Sequence, residues 1–286
     1  MRRQILFSPQ ELHTAIKCNA CIVFDCRFDL SDPGSGYRDY LEAHIPGAIY
    51  AHLDDDLSSP VTAKSGRHPL PGADKFAEFL ARSGWRPGIS LVAYDNMGGA
   101  IAARLWWLMK YFGHDCAALL DGGFTAWQSA DYELESGRVS TSSATPSNFI
   151  TGGEMVVVTT EILDSLGKHG RTLVDVRASE RYNGEFEPID SVAGHIPGSV
   201  NYPLQLNLTQ NGRFKPAQQI REGLLGLSKG IEAKDVVYMC GSGVTACHTL
   251  FAADLAGLNG SKLYAGSWSE WIRDQSRPVE LVQCIE

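Results

Sequence analysis

Short apolar runs alternate with longer amphipathic stretches along most of the chain. Six of these runs are short enough for strands and are apolar on both faces, and helical patterns separate them. The runs lie at residues 22–24, 91–93, 117–120, 172–174, 236–239 and 262–264. Strands that are apolar on both faces are typical of a parallel sheet covered by helices on both sides. The pattern therefore predicts an α/β fold.

The order of the runs, and the motifs around them, occurs twice at a nearly constant offset. The matching segments are 24–27 with 174–177, 44–48 with 195–199, 91–95 with 236–240, and 122–127 with 266–271. The offset is too long for a solenoid repeat, so it indicates two copies of one domain. We predict a first domain at 1–137 and a second at 156–286. The linker between them, 138–155, is rich in Ser, Thr, Gly and Pro.

Composition narrows the class of protein and its partners. The chain has 286 residues, 44% of them hydrophobic, and a formal net charge of −8. A net negative charge argues against nucleic acid or an anionic membrane as a partner, because both attract basic surfaces. No apolar stretch approaches the roughly 20 residues of a membrane span, and the first residues lack the apolar core of a signal peptide. We therefore expect a cytoplasmic protein with no nucleic-acid or membrane partner.

The seven cysteines are irregularly spaced, which indicates reduced thiols rather than a disulfide framework. Cys18 and Cys21 form a C-x-x-C pair, but no second pair with zinc-type spacing accompanies them. The pair also precedes a predicted strand instead of following one, so the thioredoxin pattern does not fit. We expect no metal and no organic cofactor.

Cys240 is the candidate nucleophile. It follows the predicted strand at 236–239 and opens the loop Cys-Gly-Ser-Gly-Val-Thr, after which a helical pattern begins. The glycines let backbone N–H groups converge on an anion, and the helix N-terminus adds its dipole, so a thiolate at this place is stabilised. The alternative is a free cysteine that ends a core strand as a small apolar residue. Two glycines and a serine next to it favour the functional interpretation.

Together these motifs resemble the tandem-domain sulfurtransferases, the family of rhodanese and 3-mercaptopyruvate sulfurtransferase. The resemblance covers essentially the whole chain and rests on the D-x-R strand ends, the two HIPG segments, the loop 240–245 and the closing Gly-Ser-Trp-Ser-Glu-Trp at 266–271. It implies two tandem rhodanese-like domains, of which the second carries a cysteine that cycles through a persulfide. Asp95 stands in the first copy where Cys240 stands in the second, and a carboxylate cannot hold a sulfane sulfur. We expect the first domain to be catalytically silent.

The active loop resembles the mercaptopyruvate type, because the thiosulfate type carries basic residues after the cysteine. The resemblance implies a donor, 3-mercaptopyruvate, whose enolate leaving group needs a proton or hydrogen bond. Ser242 is the candidate to supply it, and the alternative is that Ser242 only shapes the turn. Phosphatases that share the fold need an arginine at the end of their phosphate-binding loop. In this chain Ala246 and Cys247 close the loop, so a phosphatase is not expected. Thiosulfate as donor, and a persulfide carrier that serves a protein partner, remain alternatives. The acceptor is expected to be cyanide or a thiol, either a small dithiol or a thioredoxin-like protein. The loop residues expected to bind the donor are Gly241, Gly243, Val244 and Thr245.

The resemblance also implies contacts from outside the loop. Arg181 occupies the place of an arginine that binds the donor's carboxylate, although it could instead be an exposed arginine at a helix end that pairs with Glu180 or Glu185. The second arginine usual in the mercaptopyruvate type is missing from 187–190, and Arg67 is the candidate to replace it. His44, in the first HIPG segment, is implied as a proton relay to Ser242, with a structural role in a turn as the alternative.

Overall fold

The computed structural model describes residues 4–146, 149, 151–228 and 231–282, and these residues form two compact units. The first unit contains 4–59, most of 70–152 and 210–214, and the second contains 60–69, 153–209 and the rest of the chain from 215. The chain therefore passes between the units more than once. The predicted bounds 1–137, 138–155 and 156–286 assume one linker and one crossing. They divide the chain by sequence order rather than by compact unit, and they stay a prediction.

The first unit contains five described strands and five described α-helices. Strands β1 to β5 are Leu6–Phe7, Cys21–Asp25, Ile49–Tyr50, Ser90–Tyr94 and Ala117–Leu120. Helices α1 to α5 are Pro9–Lys17, Ser35–Glu42, Ala73–Arg82, Ala102–Tyr111 and Gly123–Ser129. The start of α1 is fixed by a reciprocal pair of hydrogen bonds between Ser8 and Glu11. The runs predicted at 22–24, 91–93 and 117–120 all lie within strands.

The second unit repeats this sequence of elements. Strands β6 to β10 are Val156–Val157, Thr172–Asp175, Val200–Asn201, Val236–Met239 and Lys262–Tyr264. Helices α6 to α10 are Thr159–Ser165, Ser179–Asn183, Ala217–Ser228, Ala246–Leu255 and Ser267–Trp271. The predicted runs at 172–174, 236–239 and 262–264 are again strands, so all six are confirmed. The four strands that the sequence did not reveal are only two residues long.

The two sheets have the same strand order, and every strand pair in them is parallel. The orders are β1-β5-β4-β2-β3 and β6-β10-β9-β7-β8. The predicted α/β fold with a parallel sheet in each domain is confirmed. In such sheets functional loops lie at the carboxyl ends of the strands. In the second sheet Asp175 is paired with Met239, which places the D-x-R motif beside the loop that begins at Cys240.

The D-x-R motif is an internal support of the fold. Arg177 donates to both carboxylate oxygens of Asp175 and to the carbonyl of Gly194, the residue before the second HIPG segment. Both side chains of the pair are almost fully buried. In the first unit Asp25 and Arg27 make the same bidentate pair, and Arg27 also reaches the residue before its HIPG segment. A contact that both copies share is structural, because only one copy carries the candidate nucleophile.

Each unit has its own core between the sheet and its helices. Trp127 closes the cluster of the first unit, and Trp268 and Trp271 are fully buried in that of the second. Burying side chains of this size contributes about 1.5–3 kcal/mol each relative to exposure. Across the described ranges, none of the helices combines the length and the hydrophobicity needed to cross a membrane.

Candidate active site

Cys240 directly follows β9, and its side chain is buried, with 1% of the residue exposed. Its Sγ accepts a hydrogen bond from the backbone N–H of Gly243 at 3.1 Å. Such a donor favours negative charge on sulfur, and both a thiolate and a persulfide anion carry that charge. Gly243 has a φ of +77°, and a Cβ there would lie 2.3 Å from the carbonyl oxygen of Ala265. Only glycine fits, so the loop's curl around the sulfur depends on it.

The closing Gly-Ser-Trp segment holds the loop from behind. The N–H of Cys240 donates to Ser267 Oγ at 3.1 Å, while Trp268 donates its N–H to the carbonyl of Cys240 at 3.0 Å. Ser269 adds a bond to the carbonyl of Gly241 at 2.8 Å. Ser267 has a φ of +53°, which is costly for a residue with a side chain and persists only when its surroundings enforce it. The segment that marks the family in sequence therefore fixes the backbone of the nucleophile.

Ser242 is hydrogen-bonded to a histidine. Its Oγ lies 2.7 Å from Nδ1 of His68, and both residues are buried. His68 belongs to the segment 60–69, which is part of the second unit. Ser269 Oγ accepts the N–H of the preceding residue, Arg67, at 3.0 Å, which secures this segment against the active loop. A hydroxyl that contacts an imidazole can pass a proton to or from a reacting group.

His44 makes its recorded contacts within its own unit, and its predicted role as a proton relay to Ser242 stays a prediction. Its Nδ1 lies 2.7 Å from the carbonyl oxygen of Tyr40, and its ring stacks on the Tyr40 ring. His195 repeats both contacts with Tyr182 in the second unit. The HIPG histidines thus make equivalent contacts in the two copies, which supports the structural alternative for His44. The histidine that contacts Ser242 is His68. Its neighbour Arg67 is one of the predicted donor-binding residues, but no role was predicted for His68 itself.

Arg67 and Arg181 both reach the active loop. A Cβ built on Gly241 would lie 3.0 Å from an Nη atom of Arg67 and 3.6 Å from both Nη atoms of Arg181. The two predicted donor-binding arginines therefore flank the residue after the nucleophile, and the missing side chain of Gly241 makes room for them. The alternative pairing of Arg181 with Glu180 or Glu185 is not what the structure shows, since the recorded ion-pair partners of Arg181 are Glu187 and Asp190.

Two buried carboxylates hold these arginines in place. Glu187 accepts from Nε of Arg181 at 3.0 Å, and Asp190 accepts from its Nη2 at 3.0 Å. The other oxygen of Asp190 accepts from Arg67. Both acidic side chains are 3% exposed. Burial alone would raise the pKa of Glu187, but hydrogen bonds from Arg181 and from backbone N–H groups hold that pKa below its usual range.

The loop of the first unit contains an anion of its own. Asp95 follows β4 as Cys240 follows β9, and its carbonyl accepts the N–H of Phe124 just as that of Cys240 accepts the N–H of Trp268. The predicted equivalence of Asp95 and Cys240 is confirmed by these matching contacts. The Asp95 carboxylate fills the cradle, since it accepts four backbone N–H groups at 2.8 Å, from Met97, Gly99, Ile101 and Ala102.

A family model for the rhodanese-like domain matches residues 8–130 and 158–274. The chain belongs to the rhodanese family. A Pseudomonas aeruginosa relative named as a probable 3-mercaptopyruvate sulfurtransferase is 45% identical over 96% of this chain and 97% of its own length. A Mycobacterium tuberculosis relative, provisionally named a thiosulfate sulfurtransferase, is 36% identical over 97% of each. The solved 3-mercaptopyruvate sulfurtransferase from Leishmania major has a TM-score of 0.83 at 30% identity, covering 94% of this chain and 74% of its own. This rhodanese-family chain is a sulfurtransferase.

The remaining predicted residues have mainly backbone contacts. Val244 is buried and Thr245 partly buried, and their carbonyls accept N–H groups from the first turn of α9. Their predicted part in binding the donor stays a prediction.

Cys18 is exposed and Cys21 half-buried, and burial raises the pKa of the Cys21 thiol to about 11. Within the described part of the chain, no group of three or more His, Cys, Asp or Glu side chains is placed to hold a metal ion.

Proposed function

We propose that this protein transfers a sulfur atom from 3-mercaptopyruvate to a thiol acceptor through a persulfide on Cys240. The observation that carries the proposal is the buried bond between His68 and Ser242, one residue beyond Gly241 in the nucleophile's loop. A loop that carries a hydroxyl in contact with an imidazole, and no basic side chain of its own, suits a leaving group that needs a proton. The names of the relatives from Pseudomonas aeruginosa and Leishmania major support the same donor.

In the first half-reaction the thiolate of Cys240 attacks the donor's sulfur. The bond between that sulfur and its carbon breaks, and its electron pair becomes the enolate of pyruvate. Ser242 donates a hydrogen bond or proton to the enolate, and His68 replaces the proton on the hydroxyl. The sulfur stays on Cys240 as a persulfide, whose inner atom keeps the N–H donor of Gly243. In the second half-reaction an acceptor thiolate attacks the outer sulfur, and the Cys240 thiolate leaves.

Replacing His68 with alanine should slow turnover with 3-mercaptopyruvate by about 10²–10⁴-fold, because general acid catalysis of the leaving enolate is lost. Turnover with thiosulfate should fall much less, since sulfite leaves as a stable anion without a proton. Initial rates with each donor measure the difference, and Ser242→Ala should reproduce the same donor-dependent loss. Equal losses with the two donors would contradict a proton-transfer role and leave His68 as a structural residue.

Arg181 is proposed to bind the donor's carboxylate, together with Arg67. Arg181→Ala should raise KM for 3-mercaptopyruvate by roughly 10–150-fold, the equivalent of about 1.5–3 kcal/mol for a lost charge-assisted bond. Arg171, whose ion pair with Glu161 belongs to another part of the second unit, offers the matched control. Arg171→Ala should leave KM within twofold of the wild-type value, because it removes none of the recorded arginine contacts beside Gly241. An unchanged KM in the Arg181 variant would remove this residue from donor binding.

Thiosulfate is the second candidate donor. Two guanidinium groups beside Gly241 form a seat that an inorganic dianion can also use, and the Mycobacterium tuberculosis relative carries that activity in its name. Parallel initial rates with 3-mercaptopyruvate and with thiosulfate, each with cyanide and with a small dithiol as acceptor, decide between the donors. A preference for 3-mercaptopyruvate supports the proposal, and a preference for thiosulfate overturns it.

The proposed acceptor is a small dithiol or a thioredoxin-like protein, since one thiol of either can take the outer sulfur as a persulfide, and the second thiol can then close a disulfide and release that sulfur as hydrosulfide. We propose the cytoplasm as the location, because the nucleophilic thiol has to stay reduced between turnovers. A module that only carries the persulfide to one partner protein would load sulfur as readily but discharge it slowly to small thiols. The dithiol arm of the rate measurement therefore also separates an enzyme from a carrier.

A further inference from the structure

Asp190 lies between the two arginines of the proposed donor site. One of its carboxylate oxygens accepts from Nη1 of Arg67, and the other accepts from Nη2 of Arg181. Its side chain is 3% exposed, so water screens these contacts little. One buried carboxylate thus couples two cations that stand on separate segments of the second unit.

The bonds of Asp190 leave one terminal nitrogen of each arginine beside the loop. The Nη2 atom of Arg67 and the Nη1 atom of Arg181 lie 3.0 Å and 3.6 Å from the Cβ position of Gly241. The bonds to Asp190 use Nη1 of Arg67 and Nη2 of Arg181. A donor's carboxylate at Gly241 therefore meets one N–H group from each arginine.

The charges around this seat cancel. Arg67 and Arg181 are balanced by Asp190 and Glu187, and the neighbouring Arg177 is balanced by Asp175. The seat offers hydrogen-bond donors without a surplus of positive charge. A carboxylate with a single charge can bind there through charge-assisted hydrogen bonds. A dianion such as thiosulfate gains less electrostatic binding energy there than it would beside two uncompensated guanidinium groups.

We propose that Asp190 is a specificity-determining residue: by neutralising the Arg67–Arg181 pair, it favours singly charged carboxylate donors over thiosulfate. This inference rests on the proposed function, because it takes the two arginines as the donor's seat. Asp190 acts through the arginines and does not itself touch the donor.

Asp190→Asn tests the inference by adding one unit of positive charge while preserving the shape of the side chain. In a Cys240→Ser background, which forms no persulfide, calorimetry measures the binding of thiosulfate and of pyruvate. Electrostatic energy scales with the product of the charges. If the added positive charge lowers the Kd of pyruvate about threefold, it should therefore lower the Kd of the dianion thiosulfate about tenfold. With Cys240 intact, the kcat/KM ratio of thiosulfate to 3-mercaptopyruvate should rise about threefold for the same reason.

Two further variants separate charge from shape. Asp190→Glu retains the charge and should keep the wild-type donor ratio, and Asp164→Asn removes an exposed carboxylate from α6 and should change neither affinity. Equal factors for thiosulfate and pyruvate, weaker binding of both, or an unchanged kcat/KM ratio in Asp190→Asn would overturn the inference. The proposed function fails on a different result, namely a preference of the wild-type protein for thiosulfate in the parallel initial rates.

Discussion

Replacing Cys240 with serine should lower kcat/KM for sulfur transfer by at least about 10³-fold with either donor, because loss of a catalytic nucleophile costs that much or more. A serine hydroxyl occupies the same place and can still accept the N–H of Gly243, but it cannot form or hold a persulfide. The measurement is the initial rate of pyruvate or sulfite release with a saturating thiol acceptor. Unchanged folding, checked by circular dichroism, makes the loss a chemical one.

Cys247 provides the matched control. It is a second buried thiol at the start of α9, and its Sγ donates to the carbonyl of Gly243 at 3.4 Å. Cys247→Ser keeps a donor at this place and should change kcat/KM by no more than about fivefold, the equivalent of one ordinary hydrogen bond. Substantial turnover in Cys240→Ser, or an equal loss in both variants, would contradict the assignment of Cys240 as the sulfur carrier.

Replacing Asp95 with alanine should lower the stability of the first unit by about 3–5 kcal/mol, because it leaves buried N–H groups without their charged acceptor. Four backbone N–H groups lose their partner at once. The local measurement is amide hydrogen exchange at residues 97–102, where protection should collapse, together with the urea midpoint of the first unit. Asp95→Asn keeps one accepting oxygen of the two and should show an intermediate loss.

A loss below about 1 kcal/mol in Asp95→Ala would contradict this account, since it would mean that water or other groups already satisfy the loop. The comparison between units gives the result its meaning. The two equivalent loops use their backbone N–H groups differently: the Asp95 carboxylate accepts four of them in the first unit, while Cys240 Sγ accepts that of Gly243 in the second. That the first unit is catalytically silent stays a prediction, and it rests on the carboxylate that stands where the second unit has its candidate nucleophile.

The central strands and the nucleophile could be predicted because their signals are local. A strand buried on both faces is a continuous apolar run, and glycines that curl a loop around an anion stand next to the residue they serve. The duplication strengthened the prediction, since Asp95 and Cys240 follow equivalent strands. The edge strands, such as β3 and β8, were missed because two residues carry too little pattern to be recognised.

The proposed proton-transfer residue and the acidic partners of the arginines could not be predicted in this way. His68 and Ser242 are 174 positions apart, and no periodicity joins residues so distant in sequence. The segment 60–69 lies within the predicted first domain but folds with the second unit, so sequence order did not indicate that His68 contacts Ser242. In the sequence, Asp190 stands out only because the stretch 187–190 lacks an arginine. The structure shows Asp190 bound to Arg67, the candidate to replace that arginine.

The most direct test of the central claim is the intact mass of the protein after a brief reaction with 3-mercaptopyruvate in the absence of an acceptor. The account predicts a gain of one sulfur atom, located on Cys240 by peptide mapping, with one pyruvate released per chain and the gain reversed by a dithiol. No gain in mass, or a sulfur atom held on another cysteine, would contradict it.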